Sequence, residues 1–298
     1  MIEFDYDRES ERYRDIVEKE LRRIASGESG NVYPKLFDAM FYSLEVGGKR
    51  IRPCLVLAVC EMLGGNVENA LPFACGLEMI HTYSLIHDDL PCVDNDDMRR
   101  GRPSNHKLFG EGMAVFAGCG LLSLAFEVML KAVLKSNDRC GLLAMNEIAY
   151  RSGAHGMLSG QAADIENEGS TSQDEEVLAY IHEHKTADML TAAVLAGAYT
   201  AGADEKTVDA LRAYALNMGL LFQITDDILD VKGDSAMMGK TLGKDAANGK
   251  MTYVGLYGLD GARMAAEKAA KLALDALKGI ESPDYLEETI RRMLVRSR

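Results

Sequence analysis

Aspartates at metal-binding spacing occur twice in the chain. In "FQITDDILDVKGD" the Asp226 and Asp230 carboxylates are four residues apart, one turn along a single helix face, where like charges repel. Asp226 follows the apolar run "MGLLFQIT", so the pair grows out of a buried face and needs counter-cations. Oxygen donors with no histidine or cysteine beside them suit a hard ion, Mg²⁺ or Mn²⁺. Mg²⁺ typically keeps one or two carboxylates and completes its shell with water and substrate phosphates, so paired acidic motifs point to a diphosphate ligand. The bland alternative is a solvated helix face, which an acidic chain produces by chance.

The other cluster, "YSLIHDDLPCVDNDDMRRGRPSNH" at 83–106, places Asp88 and Asp89 ahead of Asp94. Asp88 and Asp94 do not share a helix face, but Pro91 lies between them and disfavours helix at Leu90. The predicted break swings Asp94 back towards Asp88, so that both serve the same metal pair. Arg99, Arg100 and Arg102 follow; arginine forks match phosphate oxygens, although they would also neutralise Asp96 and Asp97 on a surface loop. A further basic cluster, "GGKRIRP", holds Lys49, Arg50 and Arg52 just before an apolar helix and offers a second anion pocket, with Lys49 and Arg52 three apart on one face.

The elements that must carry these groups read as helices. The chain has 298 residues, 47% hydrophobic and 27% charged, with six prolines and no tryptophan, enough for a sizeable core and leaning towards helix. Helix-period patterning dominates without sustained alternation, so the fold is predicted to be all-α. Helices are expected near 6–25, 33–45, 51–63, 68–88, 112–134, 139–166, 174–182, 186–201, 205–231, 250–278 and 283–295, in a single domain spanning 1–298.

A net charge of −13 argues against a nucleic-acid partner. The six cysteines form no Cys-x-x-Cys pair and read as buried, reduced thiols of a cytoplasmic protein. The N-terminus is too acidic for a targeting peptide. The longest apolar runs, 113–126 and 189–203, fall short of the roughly 20 residues of a transmembrane segment. "GDSAMMGKT" has one residue too many for a phosphate-binding P-loop and follows a helix instead of a strand.

Motifs from end to end, "GGKRIRP", "EMIHTYSLIHDDLPCVDNDDMRRGRPSNHKLFGE", "GQAAD", "HKTADML", "FQITDDILDVKGD" and "GKDAANGKMTY", make the chain resemble the all-trans short-chain isoprenyl diphosphate synthases of bacterial farnesyl diphosphate synthase type. The resemblance implies a bundle of roughly ten or more helices around a central cavity. It implies a homodimer, for which 113–126 would be an interface helix, and condensation of isopentenyl diphosphate with an allylic diphosphate. By motif position it implies three Mg²⁺, with Mn²⁺ as the other candidate, held by Asp88, Asp94, Asp226 and Asp230. Arg99, Lys185 and Lys240 would meet the leaving diphosphate, and Thr186 and Gln223 the allylic cation. Lys49, Arg52, His81 and Arg100 would take the isopentenyl diphosphate. A lone histidine such as His81 is otherwise most often a satisfied core residue, as His87, His155, His182 and His184 are expected to be.

Tyr83 and Ser84 are placed to set product length. Tyr83 precedes Asp88 by five residues, about 7.5 Å down a helix axis. An aromatic at that depth forms a floor, which in the family accompanies farnesyl diphosphate; geranylgeranyl diphosphate is the alternative. Two departures from the family pattern are Cys119, where relatives carry aspartate, and Val254, where proline commonly follows "TY". A terpene cyclase would have no use for the second basic pocket, and a non-catalytic subunit would be expected to have lost one acidic motif.

Overall fold

A computed structural model of the chain describes residues 4–137, 139–169, 174–232 and 251–296. The architecture is all-α, as the periodicity predicts. In order it comprises α1 (Tyr6–Glu28), α2 (Pro34–Glu45), α3 (Ile51–Met62), α4 (Val67–Asp88), α5 (Asn105–Phe109), α6 (Glu111–Ser136), α7 (Arg139–Ser152) and α8 (Met157–Asn167). Then come α9 (Glu175–Ile181), a π-helical turn (His182–Ala187), α10 (Asp188–Thr200), α11 (Glu205–Lys232), α12 (Tyr253–Ala276) and α13 (Asp284–Arg296). The sole sheet among the described residues is an antiparallel hairpin, β1 (Met98–Arg99) and β2 (Arg102–Pro103), with Arg99 opposite Arg102.

Local chemistry starts these helices where it should. Asp5 accepts from the Arg8 amide at the head of α1, Asn66 from the Glu68 amide at the head of α4, and Thr252 from the Gly255 amide at the head of α12, each satisfying an otherwise orphaned donor. Pro34 opens α2, where its missing N–H is not needed.

The single helix expected over 139–166 is two, α7 and α8. Gly153 and Gly156 punctuate the run, and the Gly156 amide bonds the Gly153 carbonyl at 3.1 Å in a turn. Conversely, the predicted pause between 182 and 186 is absent, because the π-turn carries helix straight from α9 into α10. At 26 residues, α6 is long and apolar enough, by length and composition, to cross a bilayer. A core helix of a helical bundle passes the same test; the helix outruns the apolar run 113–126 because charged residues such as Glu127 and Lys131, paired at 2.6 Å, lie within it without ending it. In the bundle α6 lies along α4 and touches α2, α5 and α7. The cysteines also divide: Cys54, Cys60 and Cys75 are buried as expected, but Cys92 and Cys119 are exposed, and none of the six forms a disulfide.

The centre of the molecule is formed by α3, α4 and α10, which are buried almost all round, as helices enclosed by other helices must be. One hydrophobic core runs from Tyr13 on α1 to Met293 on α13. Its outer wall is tied by a polar contact, in which the fully buried Tyr214 hydroxyl on α11 donates to the Leu286 carbonyl on α13 at 2.9 Å. Tyr214→Phe should therefore lower stability by about 1 kcal/mol, read as an earlier urea midpoint with an unchanged slope.

Candidate active site

The ends of α4 and α11 open into one cavity of about 880 Å³, closed by the 46–52 segment, α8, the π-turn and the hairpin. The first acidic motif folds as the proline predicted. α4 stops at Asp88, and the Asp94 amide donates back to the Asp88 carbonyl at 2.8 Å. Asp88 and Asp94 thus line the same side of the cavity, while Asp226 and Asp230 line it from α11. Burial, countered by Lys185 and reinforced by Asp94, raises the Asp88 carboxyl to about 6. A carboxylate in that state gains from a nearby cation.

Asp88, Asp94, Asp226 and Asp230, with Asp96, Asp164 and Asp227 also on the lining, offer oxygen donors, which fits a hard divalent ion. Among the described residues no three metal-ligating side chains converge on one point. A bound ion would draw the remainder of its shell from water and ligand phosphates, the habit of Mg²⁺.

Adjacent aspartates in each motif part company. Asp89, buried at 3% exposure, turns away from the cavity and accepts from Arg99 through Nε, at 3.0 Å, and Nη2; Asp96 lies 3.6 Å from the same guanidinium. Asp227, also buried, accepts from the Tyr253 amide at 2.8 Å and so fixes the start of α12. Asp89 thus leaves the cavity lining to Asp88, whereas Asp227 borders the cavity beside Asp226 and anchors α12 as well. Sequence reasoning missed Asp89 and Asp227 as anchors, although the doubled aspartate carried the signal.

The π-turn explains "HKTADML". Ile181, Lys185 and Met189 line the cavity together, as do His182 and Thr186: a spacing of four keeps one face inward through the π-turn. Lys185 Nζ donates to Asp164 at 2.6 Å, and Thr186 donates to Gln223 Oε1 at 2.8 Å. Asp164, the last residue of "GQAAD", was missed as a partner. Gly160 of that motif lets α8 meet the π-turn backbone to backbone, since a Cβ there would stand 2.7 Å from the His184 carbonyl carbon.

A basic pocket forms on the opposite wall. Lys49, Arg52, His81, Arg99 and Arg100 all border the cavity. Arg52 Nη1 lies 3.3 Å from His81 Nε2. Burial, with the surrounding arginines, holds His81 well below its ordinary range, so that nitrogen accepts. Arg100 donates to the Gly47 carbonyl and rests on Gly48, where a Cβ would come within 2.9 Å of the guanidinium. That contact accounts for the double glycine. Tyr83, 4% exposed, and Ser84 line the apolar end. Tyr83 packs edge-on against His87 at 5.5 Å, and His87 Nε2 is 3.1 Å from the Val115 carbonyl on α6. Every predicted site residue thus borders one cavity except Lys240, which lies outside the described residues.

His182, on the π-turn at the cavity edge, is buried, stacked on Tyr253 at 5.3 Å and 3.9 Å from Asp227. Burial lowers it from 6.5 to about 3. The unfolded chain therefore binds a proton that the native chain refuses, and stability present above pH 6.5 is lost as pH falls towards 3. His182→Gln should remove on the order of 2 kcal/mol of that loss at pH 5, seen as a flatter dependence of the thermal midpoint on pH.

Known proteins share this arrangement. The profile described as Polyprenyl synthetase matches residues 33–293. A heterodimeric geranylgeranyl pyrophosphate synthase large subunit of Arabidopsis thaliana is 48% identical over 83% of this chain and 68% of its own. A geranylfarnesyl diphosphate synthase of Leucosceptrum canum is likewise 48% identical, over 83% and 68%. Among solved structures, a FPP/GFPP synthase from Zymomonas mobilis superposes with a TM-score of 0.84 at 34% identity, covering 96% of this chain and 98% of that one. A geranyltransferase from Legionella pneumophila gives 0.86 at 30%, covering 98% and 97%. The chain belongs to the polyprenyl synthetase family.

Proposed function

We propose that the protein elongates an allylic diphosphate with isopentenyl diphosphate, head to tail. The observation that carries this reading is the meeting of two acidic motifs and a separate basic pocket in one cavity with an apolar end. Asp88, Asp94, Asp226 and Asp230 would hold Mg²⁺, with Mn²⁺ a substitute, and the metal when bound supplies charge neutralisation to a departing diphosphate.

Around that centre the chain's own groups take distinct parts. Arg99, preset by Asp89, and Lys185, preset by Asp164, aim positive charge at the leaving group; Lys240 is assigned the same part by its motif. Such prepositioned charges need no reorganisation as the carbon–oxygen bond breaks. Thr186 and Gln223, bonded to each other, present oxygen lone pairs to the allylic cation. Lys49, Arg52, His81 and Arg100 would seat isopentenyl diphosphate without metal. A cyclase would leave that pocket idle, which favours elongation. Val115 and Phe116 on α6 are exposed apolar residues and support pairing with a second copy.

For product length, the names of the curated relatives favour geranylgeranyl diphosphate over the farnesyl diphosphate suggested by the sequence, and that is the product proposed. Tyr83 is the observation on the other side. On the face of α4 that carries Tyr83 and His87, Met79 and Ile80 do not reach the cavity, so Tyr83 stands where an extending tail would stop.

Incubation with isopentenyl diphosphate, Mg²⁺ and dimethylallyl, geranyl or farnesyl diphosphate tests both levels. Geranylgeranyl diphosphate is expected; arrest at farnesyl would favour Tyr83 as the floor, and no condensation with any starter would sink the reading. Asp226→Asn should lower kcat by roughly 10²–10³-fold, as loss of a transition-state charge contact does. Tyr83→Ala should yield longer products by chromatography; products no longer than those of the parent would acquit Tyr83.

A further inference from the structure

Arg50 sits between two cavity residues, Lys49 and Arg52, yet takes no place in the proposed chemistry. Its side chain has 0% exposure. Nε donates to Glu18 Oε1 on α1 at 2.7 Å, Nη1 to Glu78 Oε1 on α4 at 2.5 Å, and Nη2 to the Leu44 carbonyl at the end of α2 at 2.6 Å. Its backbone is left-handed, with φ 48°, at the head of α3. Both the buried charge and the left-handed residue are unfavourable by themselves. An apolar residue would avoid the first and glycine the second.

The three bonds tie the middle of α1, the middle of α4 and the end of α2 to the turn that starts α3. Lys49, Arg50 and Arg52 all border the cavity, with the Arg50 side chain fully buried in its clamp. Glu78 also borders the cavity and favours the charged forms of Arg52 and Arg100 against their mutual repulsion. Three arginines and His81 therefore stand together around one buried carboxylate before any diphosphate arrives.

We propose that Arg50, clamped by Glu78 and Glu18, is the positioning residue of the second diphosphate pocket, and that α1 contributes to substrate binding through Glu18. The proposal rests on the reading that this pocket takes isopentenyl diphosphate. Preorganisation lowers the ordering cost of binding, so loosening the clamp weakens that one substrate and spares the other.

Three variants separate this from a general structural role: Arg50→Met, which keeps volume without charge; Arg50→Lys, which keeps charge without the fork; and Glu18→Gln, at a half-buried position that leaves the Glu78 bond in place. The readouts are KM for each substrate with the other saturating, kcat, and calorimetric binding of isopentenyl diphosphate in the absence of metal. Arg50→Met should raise the isopentenyl diphosphate KM and dissociation constant about tenfold or more, the effect of one lost charged hydrogen bond, with the allylic KM unchanged. Arg50→Lys should recover part of the loss, and Glu18→Gln should show a smaller shift of the same kind. If Arg50→Met does not fold, Glu18→Gln decides. An unchanged isopentenyl diphosphate KM in folded Glu18→Gln, or equal weakening of both substrates, would overturn the clamp while leaving the functional reading intact. A parent protein that binds no isopentenyl diphosphate would overturn the functional reading, and the clamp with it.

Discussion

Four carboxylates directed into one cavity are the constraint around which this protein is built. Aspartates on facing helix ends repel one another, and burial makes the charged form costlier still, which is why the Asp88 carboxyl is pushed up to about 6. Most of the polar architecture around the cavity balances that charge. Lys185 and Arg99 bring positive charge to the same space, and each is held by an aspartate other than the four proposed for the metal. Lys185 is held by Asp164 and Arg99 by Asp89. The cations thus remain available to a ligand, because their own counter-charges lie in the walls.

The same logic runs through the basic side in reverse sign. Arg50, Arg52 and Arg100 share Glu78 as a buried counter-charge, and His81 escapes the crowding by staying neutral. Acidic and basic walls each carry inward-facing groups for the ligand and outward-facing groups for the scaffold. The two roles fall on adjacent residues at Asp88 and Asp89, while Asp227 and Arg50 border the cavity and anchor the scaffold at once. A helix or tight turn separates neighbours by a large angle, so a doubled charge is a compact way to encode a ligand and its support together.

Much of this was legible in the sequence, and the parts that were not have a common cause. Helix periodicity located the apolar helices, and Pro91 predicted both the end of α4 and the return of Asp94. Spacing alone placed Asp226 and Asp230 on one face. The π-turn was not legible, because a single added residue leaves no compositional trace, and the break at 153–156 was masked by the apolar pattern on either side. The anchoring roles of Asp89, Asp164 and Asp227 depend on partners 10, 21 and 26 residues away. Such pairings are set by packing, so a reading based on local spacing assigns these residues either to the metal or to nothing.

Chain-length control shows the same limit from another side. Counting residues back from Asp88 gives the depth of Tyr83 but not its resistance to displacement. That resistance comes from across the helix interface, where His87 supports the Tyr83 ring, bonds the Val115 carbonyl and fills the space that a Cβ on Gly118 would occupy. Tyr83 is therefore one end of a stack that reaches from the cavity into α6, and its effective hardness is a property of the α4–α6 contact. A floor at Tyr83, as proposed, would have its position set by α4 and its rigidity by the α4–α6 contact, so the residue's identity alone would not fix the product.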